Sequence, residues 1–511
     1  MLVSRAEITA MEEAIFASGC DVEALMESVG QGMAQALWSS WRKSRAPRAV
    51  AYVGRGHNGG DALVIARALH EAGAGVTVRL AHNANKLAPL TAKMLARLPK
   101  EIVREKVPSA NSSAAQQGVF DLVIDGLLGL NATGALRPAE RAACREINAL
   151  RLRRLGLRVV AVDVPSGLDA DTGDADEDAV RADVTLTVGF AKRGMLADAA
   201  VNFVGRLAVI HLPEFDECAE KIRLDSSGRD GVADAAALAS LLPPRDIDSH
   251  KGLFGRVGIF AGSEGFTGAA VLASLGALRG GAGLVTVFIR RSVYPIVASS
   301  APHEAMVTPI DRPSDVLAAK LDVLAMGPGL GHADADEVRE VFVRFTGPAV
   351  VDADALNLIA AAKDSAALIE RAAGPRLLTP HPGEMERLFS RKGRARGALA
   401  RDFAEAHPRA TLLLKGSRTL VAQHGRPLSF NPTGTPGMAT GGMGDVLTGV
   451  CAALLGQKLA PFDSARLGAW LCGRATELAQ VRRESEQSVL PTDVISHLGR
   501  AFSSLVRRDV F

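Results

Sequence analysis

The feature that most constrains the fold of this chain is an alternation of short apolar runs with stretches of helical periodicity. In the N-terminal half the apolar runs are Ala49–Val53, Val76–Leu80, Leu122–Ile124, Val159–Val162 and Val184–Val188. In the C-terminal half they are Val257–Phe260, Leu284–Phe288, Val323–Met326, Ala349–Asp352, Arg376–Thr379, Thr411–Leu414 and Thr419–Ala422. Such runs between helical stretches are typical of βαβ units, so both halves are predicted to be α/β with mostly parallel sheets.

The length of the chain predicts more than one domain. At 511 residues it is too long for a single ordinary core, so we expect two. A segment of weaker order from about Glu214 to Ser249 separates the two alternating series. We therefore place the boundary near residue 225, which gives domains of residues 1–225 and 226–511. The motifs of the two halves differ, which indicates fusion rather than duplication.

Two helical segments stand out within this pattern. Residues 4–38 have helical periodicity and begin with Ser4 and Glu7 in the S-x-x-E arrangement that caps helix starts. The apolar run Val446–Leu455 follows a cluster of glycines and is too short to cross a bilayer. It is predicted to be a buried helix.

Bulk composition excludes several classes of function. The formal net charge is only +3, and the basic stretches Arg151–Arg158 and Arg391–Arg401 lack aromatic residues, so solvated faces are favoured over nucleic-acid binding. The five cysteines are scattered without CxxC spacing, which predicts neither a disulfide framework nor a zinc site. No secretory signal and no apolar run of about 18 residues is found. We expect a cytoplasmic homo-oligomer with no membrane or nucleic-acid partner.

The strongest C-terminal motif is Gly434–Val446, which reads GTPGMATGGMGDV and directly precedes the predicted buried helix. Glycines allow close backbone approach, and amides at a helix N-terminus attract phosphate, so a phosphate site is expected. Asp445 lies at the helix start. It is either an N-cap residue or a general base held beside those amides.

Four further segments accompany this motif: Ala261–Ala269 (AGSEGFTGA), Met326–Gly331 (MGPGLG), Leu378–Met385 (LTPHPGEM) and Leu414–Thr419 (LKGSRT). GGMGD resembles the anion-hole segment of the ribokinase-like superfamily. In this order and spacing, the five segments together resemble the ADP/ATP-dependent NAD(P)H-hydrate dehydratase family over roughly residues 240–505. The resemblance implies a ribokinase-like α/β/α domain for the C-terminal half.

The resemblance also implies roles for individual residues. Asp445 would remove the proton of the substrate hydroxyl that accepts a phosphoryl group from ADP, with Mg²⁺ as cofactor. The adenine nucleotide would be bound by Lys415, Gly416, Ser417, Arg418, Thr419 and Gly444, and the hydrated dinucleotide by Ala269, Gly329, His381 and Asp445. By their residue types alone, His381 could instead be a turn residue and Lys415 a solvated charge.

Three turns in the N-terminal half follow predicted strands: Val53–Ala66 (VGRGHNGGDALVIA), Asp125–Ala135 (DGLLGLNATGA) and Val162–Asp169 (VDVPSGLD). The first fits neither GxxxxGK[ST] nor GxGxxG. In a parallel sheet these turns converge at the carboxyl edge, where Asn58, Asp125 and Ser166 can offer oxygen atoms to one hard cation. Singly, Asn58 and Asp125 would be turn formers and Ser166 an N-cap.

Together these turns resemble the NAD(P)H-hydrate epimerase family over roughly residues 1–215, which implies a Rossmann-like three-layer α/β/α domain. By that resemblance Asn58, Asp125 and Ser166 bind K⁺. Asp163, at a strand end and next to a Pro-Ser-Gly turn, is our choice for acid/base work, with Lys192 as a charged partner. Lys192 could also be merely solvated. The dinucleotide would contact His57, Asn58, Gly59, Gly60, Asp61, Gly129, Leu130, Asn131, Ala132, Thr133, Gly134, Ala135 and Asp163.

The N-terminal half departs from the epimerase pattern at a few positions. His57 stands where Asn is expected, Ala62 where Gly is expected, and Ser28-Val29 where Asn-Ala is expected. These substitutions can alter dinucleotide contacts. An alternative for this half is therefore a dinucleotide-binding module without catalysis.

The order of the two halves resembles that of bifunctional NAD(P)H-hydrate repair enzymes. The implied function is epimerisation of the R and S forms of hydrated NADH or NADPH by the first domain. The second domain would dehydrate the S form at the expense of ADP, releasing AMP and phosphate. The alternative for the second domain is a ribokinase-like kinase of a vitamin precursor, which would use the same Asp445 chemistry and release a stable phosphorylated product.

Overall fold

The computed structural model describes residues 1–41, 45–108, 119–154, 156–221, 228–482 and 485–510. The chain divides into two compact units, Met1–Arg229 and Asp230–Asp509, and Val510 groups with the first. The predicted boundary near residue 225 lies outside the described residues and stays a prediction.

The first unit contains helices and strands in alternation. Its strands are β1 (Leu2–Val3), β2 (Arg48–Val53), β3 (Gly75–Leu80), β4 (Val103–Lys106), β5 (Leu122–Gly126), β6 (Arg158–Val162), β7 (Val184–Val188), β8 (Ala191–Lys192) and β9 (Arg206–Ile210). Its helices are α1 (Arg5–Ala17), α2 (Val22–Ser40), α3 (His57–Glu71), α4 (Pro89–Ala96), α5 (Pro138–Arg153), α6 (Val201–Val204) and α7 (Pro213–Lys221).

Among the described residues of this unit, seven strands form a wholly parallel sheet in the order β4-β3-β2-β5-β6-β7-β9. The chain runs outward from β2 to β4 and then returns to β5 on the other side of β2. The carboxyl ends of β2 and β5 therefore form a topological switch point, where ligands bind in open α/β sheets. The turns that follow these two strands carry Asn58 and Asp125.

The second unit repeats the alternation with a larger sheet. Its strands are β10 (Gly231–Val232), β11 (Arg256–Phe260), β12 (Leu284–Arg290), β13 (Ala305–Ile310), β14 (Val323–Met326), β15 (Ala349–Val351), β16 (Arg376–Leu378), β17 (Ala410–Leu414), β18 (Leu420–Gln423) and β19 (Ser429–Phe430). Its helices are α8 (Ala235–Leu238), α9 (Thr267–Arg279), α10 (Tyr294–Ser300), α11 (Ala335–Arg344), α12 (Ala353–Ala360), α13 (Ser365–Arg371), α14 (Pro382–Leu388), α15 (Arg396–Ala406), α16 (Met443–Gly456), α17 (Pro461–Arg482) and α18 (Pro491–Arg507).

In the second unit the ten described strands are ordered β10-β19-β18-β17-β16-β15-β14-β11-β12-β13. Only β18 runs antiparallel to its neighbours β17 and β19. The switch point lies between β11 and β14, and the ends of β15, β16 and β17 follow along the same edge. Helix α16 is buried along nearly its whole length, as predicted, because its Gly-, Ala- and Leu-rich surface packs against α9, α17 and the sheet.

The predicted α/β class is confirmed in both units, and each predicted apolar run forms a strand with its ends shifted by at most two residues. The predicted helical stretch of residues 4–38 divides into α1 and α2, because Gly19 adopts a left-handed backbone with φ of 94°. The predicted capping box of Ser4 and Glu7 is present. The prediction of weak order from Glu214 was wrong at its start, where α7 buries Phe215, Cys218 and Ala219.

The two Arg-rich stretches pair with acidic side chains. Arg151 contacts Asp183, and Arg394 contacts Asp402. Within the part of the chain that the structure describes, no helix is both long and apolar enough to span a membrane.

Candidate active sites

The first candidate site is a cavity of about 920 Å³ at the switch point of the first unit. Helix α3 begins directly after the turn that follows β2, so its first residues face this space. Most of the predicted dinucleotide contacts line it, together with Lys192: His57, Asn58, Asp61, Gly129, Leu130, Asn131, Ala132, Thr133, Gly134, Ala135 and Asp163. Loops that are far apart in the sequence thus surround one cavity.

The predicted cation ligands lie together beside this cavity. Ser166 donates from its hydroxyl to Asp125 Oδ1 over 2.7 Å and from its backbone amide to Asp125 Oδ2 over 2.9 Å. Asn58 Nδ2 donates to the carbonyl of Leu128 over 2.7 Å, and Leu128 N donates to Ser166 Oγ over 3.0 Å. Asn58 belongs to helix α3 and Ser166 begins no helix, so the turn alternative for Asn58 and the N-cap alternative for Ser166 were wrong. Asp125 belongs to strand β5, and its Oδ1 also accepts from Leu127 N over 3.2 Å, so it has a turn-forming contact beside its contacts with Ser166.

Asp163 and the buried Lys192 form an ion pair at the wall of the cavity. Lys192 Nζ lies 2.5 Å from Asp163 Oδ1, and it also donates to Thr187 Oγ1 over 2.8 Å and to the carbonyl of Val188 over 3.3 Å. Lys192 is 1% exposed, which excludes the alternative that it is merely solvated. Asp163 has a left-handed backbone with φ of 62°, a strained conformation of the kind that collects at functional sites.

Two predicted dinucleotide contacts, Gly59 and Gly60, do not line the cavity. A Cβ on Gly59 would lie 2.4 Å from the carbonyl oxygen of Gly54, and one on Gly60 would lie 2.6 Å from Met26 Sδ. These glycines let α3 pack closely against the turn after β2 and against α2. Their observed role is therefore in packing.

The departures from the epimerase pattern differ in position. His57 lines the cavity, whereas Ser28 is on the exposed face of α2 and is not part of its lining. Ala62 is fully buried, and its Cβ lies where a Cβ on Gly126 would clash. Val29, the other half of the Ser28-Val29 departure, does line the cavity, so His57 and Val29 are the departing residues placed to contact a ligand directly.

Glu12 is an ionisable residue of this cavity that the sequence analysis missed. Glu12, on α1, lines the cavity together with Asp61, Asp163 and Lys192. Burial, reinforced by Asp163, raises the pKa of Glu12 to about 7. Burial and the charges of Asp163 and Glu12 also raise the pKa of Asp61 well above its ordinary range. No motif surrounds Glu12, so the sequence offered no signal for it.

The second candidate site lies along the carboxyl edge of the second sheet. Asp352 follows β15, His381 follows β16, and Lys415 follows β17. Because these strands are parallel neighbours, the three residues follow one edge of the sheet, and Asp352 and Lys415 contact each other beside α16. Asp352 was also missed, although its position at a strand end is the signal that singled out Asp125.

Asp352 organises this second site. Its Oδ1 accepts from Lys415 Nζ over 2.6 Å, and its Oδ2 accepts from the hydroxyl of Thr448 on α16 over 2.8 Å. A Cβ on Gly444 would lie 3.3 Å from Lys415 Nζ and 3.4 Å from Asp352 Oδ2. Burial opposes the charge of Lys415, but Asp352 and Glu384 outweigh it and raise its pKa. The solvated alternative for Lys415 was therefore wrong.

Asp445 occupies the first turn of α16 but does not cap it. The N-cap is Gly442, with φ of 91°, and its helix has no side-chain cap. Burial, followed by the charge of Asp352, raises the pKa of Asp445 to about 6, while Lys415 acts in the opposite direction. The N-cap alternative was wrong, and the carboxyl group is suited to exchanging a proton near neutral pH.

His381 has a structural role as well as its place at the site. It is the N-cap of α14, where its Nδ1 accepts from Gly383 N over 3.0 Å and its backbone amide donates to Glu384 Oε2 over 2.8 Å. Glu384 Oε2 lies 3.9 Å from Lys415 Nζ. The ring of His381 is half exposed and remains available to a ligand.

The predicted substrate residues Ala269 and Gly329 are neighbours at the switch point between β11 and β14. A Cβ on Gly329 would lie 3.0 Å from the Cβ of Ala269 and 2.8 Å from that of Phe266. Ser263 Oγ donates to the carbonyl of Gly329 over 2.8 Å. Phe266, which the sequence analysis did not select, leaves 60% of its surface exposed beside this pair.

The predicted nucleotide segment forms the turn between β17 and β18. Gly416 and Ser417 are exposed, Thr419 is half-buried, and Arg418 is 3% exposed. Thr419 Oγ1 donates to the carbonyl of Gly416 over 3.1 Å. Within this segment, Gly416 and Ser417 are therefore the residues most open to a ligand.

Comparison with known proteins gives a match for each unit. The family model described as NAD(P)H-hydrate dehydratase matches residues 257–500, and the one described as YjeF-related protein N-terminus matches residues 22–194. A bifunctional NAD(P)H-hydrate repair enzyme of Moorella thermoacetica is 35% identical over 93% of this chain and 91% of its own length. That of Gloeobacter violaceus is 36% identical over 93% of this chain and 94% of its own.

Among solved structures, an ADP/ATP-dependent NAD(P)H-hydrate dehydratase from Bacillus subtilis, co-crystallised with ATP and Mg²⁺, is 28% identical. It covers 55% of this chain and 99% of its own length, with a TM-score of 0.47.

A Rossmann-like unit and a ribokinase-like unit, each with ionisable residues gathered at the carboxyl edge of its sheet, define a bifunctional α/β enzyme. The chain belongs to the family of bifunctional NAD(P)H-hydrate repair enzymes. Its first unit is an NAD(P)H-hydrate epimerase domain and its second an NAD(P)H-hydrate dehydratase domain. This membership favours hydrate repair over the vitamin-precursor kinase.

Proposed function

We propose that each activity depends on the residues assigned to it above, with ADP as the phosphoryl donor. Asp445 takes the proton of the hydroxyl on the S hydrate as that oxygen attacks the donor. AMP leaves, and the phosphate ester then eliminates phosphate to give NADH or NADPH. Hydroxide is a poor leaving group, which is why phosphorylation makes the elimination easier.

The observation that carries the proposal is the assembly of Lys415, Asp352 and Gly444 at the start of α16. Lys415 is fixed by Asp352, so its charge is held beside Gly444 and the free amides of the helix N-terminus. Charge that develops on a transferring phosphoryl group is stabilised by such preorganised groups. Asp445 lies one residue after Gly444, in reach of the same space.

Mg²⁺ fits this site as a companion of the nucleotide. In the described part of the chain no three or more His, Cys, Asp or Glu residues are grouped to hold a metal ion. Mg²⁺ commonly binds through one or two carboxylates and the substrate phosphates, so it is expected to arrive with the donor. When bound, it would neutralise charge on the phosphates.

For the first unit we propose K⁺ at Asn58, Asp125 and Ser166, whose oxygen atoms are the donors that a hard cation prefers. Asp125 is fully buried and contacts no basic side chain among the described residues. Asn58 keeps its Oδ1 unpaired within that part of the chain. A monovalent cation would supply the missing positive charge. Cytoplasmic location and homo-oligomeric assembly stay predictions from the sequence.

The test is a nucleotide- and cation-dependence assay on the full chain with separated hydrates of NADH. NADH should return from the S hydrate with ADP, alongside equimolar AMP and phosphate. Replacing K⁺ by choline should slow conversion of R to S by at least about tenfold and leave dehydration unchanged. A stable phosphorylated product without NADH would indicate the kinase instead. Recovery with ATP alone would overturn the choice of ADP, and a K⁺-independent epimerase would overturn the cation site.

A further inference from the structure

The cavity of the first unit contains more carboxyl groups than its positive charge can balance. Lys192 directs its ammonium group to Asp163, Thr187 and the carbonyl of Val188. Glu12 and Asp61 line the same cavity, and neither side chain has a hydrogen-bonding partner among the described residues. Both carboxyl groups are therefore open to a ligand rather than committed to the fold.

The excess of acids means that the cavity retains a proton at neutral pH. Removing carboxylates from water disfavours their charged forms, and like charges nearby add to this effect. Burial, then Asp163, raises the pKa of Glu12 to about 7, while Lys192 partly opposes the rise. Asp163, in contrast, is in direct contact with the ammonium group of Lys192.

We propose that Glu12 is the second acid/base residue of the epimerase, and that Glu12 and Asp163 exchange one proton with the hydrate oxygen on opposite faces of the ring. The inference rests on the proposed role of Asp163. Glu12 reaches the cavity from helix α1, whereas Asp163 reaches it from the edge of the sheet. A substrate ring between them would have one carboxyl group on each side.

The chemistry of the hydrate explains why two groups are needed. Water adds to the enamine carbon that is bonded to the ring nitrogen, so the hydroxyl can leave while the nitrogen lone pair stabilises the cation. Protonated Glu12 gives its proton to the hydroxyl, the C–O bond breaks, and water departs. Water then adds to the other face and passes a proton to Asp163. The opposite conversion reverses these steps, and proton exchange with solvent resets the pair.

Glu12 suits this role better than Asp61. A proton-exchanging group works best when its pKa lies near the operating pH, as that of Glu12 does. Asp61 lies on α3, and burial together with the charges of Asp163 and Glu12 raises its pKa well above its ordinary range. The charged groups that face Glu12 are Asp163 after β6, Lys192 on β8 and Asp61 on α3.

The experiment measures conversion of pure R hydrate to S hydrate by the full chain without nucleotide, so that dehydration does not run. The variants are Glu12→Gln, Glu12→Asp, Asp61→Asn and Glu13→Gln, the last being an exposed neighbour on the same helix. Glu12→Gln should lower kcat at least about 100-fold with KM within about threefold. Glu12→Asp should have a kcat at least about tenfold higher than that of Glu12→Gln, and Glu13→Gln should have the kcat of the parent enzyme.

The pH profile separates proton exchange from a structural role. In the parent enzyme, kcat/KM should fall as pH rises through about 7, because Glu12 and Asp163 then lose their shared proton. The fall is expected both for conversion of R to S and for conversion of S to R. This descending limb of the pH profile should be absent from the residual activity of Glu12→Gln. The inference is overturned if Glu12→Gln stays within threefold of the parent, if it loses hydrate binding as well, or if Asp61→Asn removes the limb instead. If the parent enzyme converts no R hydrate, the proposed epimerase function itself is contradicted.

Discussion

Asp445 is held in a position that costs free energy. The amides at the start of α16 favour its charge, but burial and the neighbouring Asp352 disfavour it more, and its pKa rises to about 6. At this residue the folded protein therefore binds more protons than the unfolded chain between about pH 4 and pH 6. Stability falls as pH rises through this window, and the cost is fully present above it. A residue kept at such a cost is typical of a functional site.

Replacing this carboxyl group should separate stability from activity. Asp445→Asn should lower kcat of dehydration at least about 100-fold with nucleotide binding retained, because the base is lost while the shape is kept. The same change should stabilise the protein by about 1–2 kcal/mol at pH 8 and by little at pH 4. Thermal unfolding at both pH values and steady-state dehydration measure this.

A matched control is Asp336→Asn, since Asp336 is an exposed first-turn residue of α11 paired with Arg339. It should leave dehydration unchanged and give no stabilisation at pH 8. Full activity of Asp445→Asn would show that Asp445 is not the general base.

How far individual site residues could be predicted depends on whether their signal is local. Asp445, Lys415 and Asn58 sit in compact motifs, so their positions were found from the sequence. The solvated alternatives were excluded for Lys192 by its burial and for Lys415 by its contact with Asp352, and both depend on distant packing that could not be predicted. Glu12 lies about 150 residues from Asp163 in the chain and has no motif, so only the folded cavity shows their association.

At the scale of elements, the contact between α3 and the turn after β2 positions the first site. Gly59 makes that contact possible, because any Cβ there would meet the carbonyl oxygen of Gly54 at 2.4 Å. Three residues earlier, Gly56 has open space around it and an extended backbone that alanine also adopts. The two glycines therefore have different tolerances for a methyl group.

Gly59→Ala should destabilise the first unit by about 1–3 kcal/mol or more and reduce epimerisation, since helix α3 must shift. Gly56→Ala should change stability by less than about 0.5 kcal/mol. Thermal unfolding of the full chain and R-to-S conversion report both effects. Equal stability of the two variants would show that α3 is not held by this contact.

Most strands with a buried, continuous apolar sequence were predicted, although β9 (RLAVI) was missed with four of its five residues buried. The central strands β5 and β6 were found because both faces are covered. The edge strands β4 and β13 were not predicted, because their faces are exposed or half-exposed. Their sequences, VREK and AMVTPI, accordingly have polar or mixed patterns. The break between α1 and α2 needed the backbone of Gly19, which periodicity does not report.

At the scale of the whole molecule, the two units complement each other through the stereochemistry of the substrate. Uncatalysed hydration can deliver water to either face of a planar ring, so both epimers form. A dehydratase that accepts only the S form would leave the R form unrepaired. Fusion to an epimerase therefore gives one chain the capacity to restore every hydrated molecule.

The most direct test of this account is the final yield of NADH from an equal mixture of R and S hydrates with excess ADP. The parent enzyme should return all of the hydrate as NADH. Asp163→Asn should return promptly only the S half, after which recovery slows to the uncatalysed rate of epimerisation. Complete recovery by Asp163→Asn at the parent rate, or a parent enzyme that stops at half, would contradict the account.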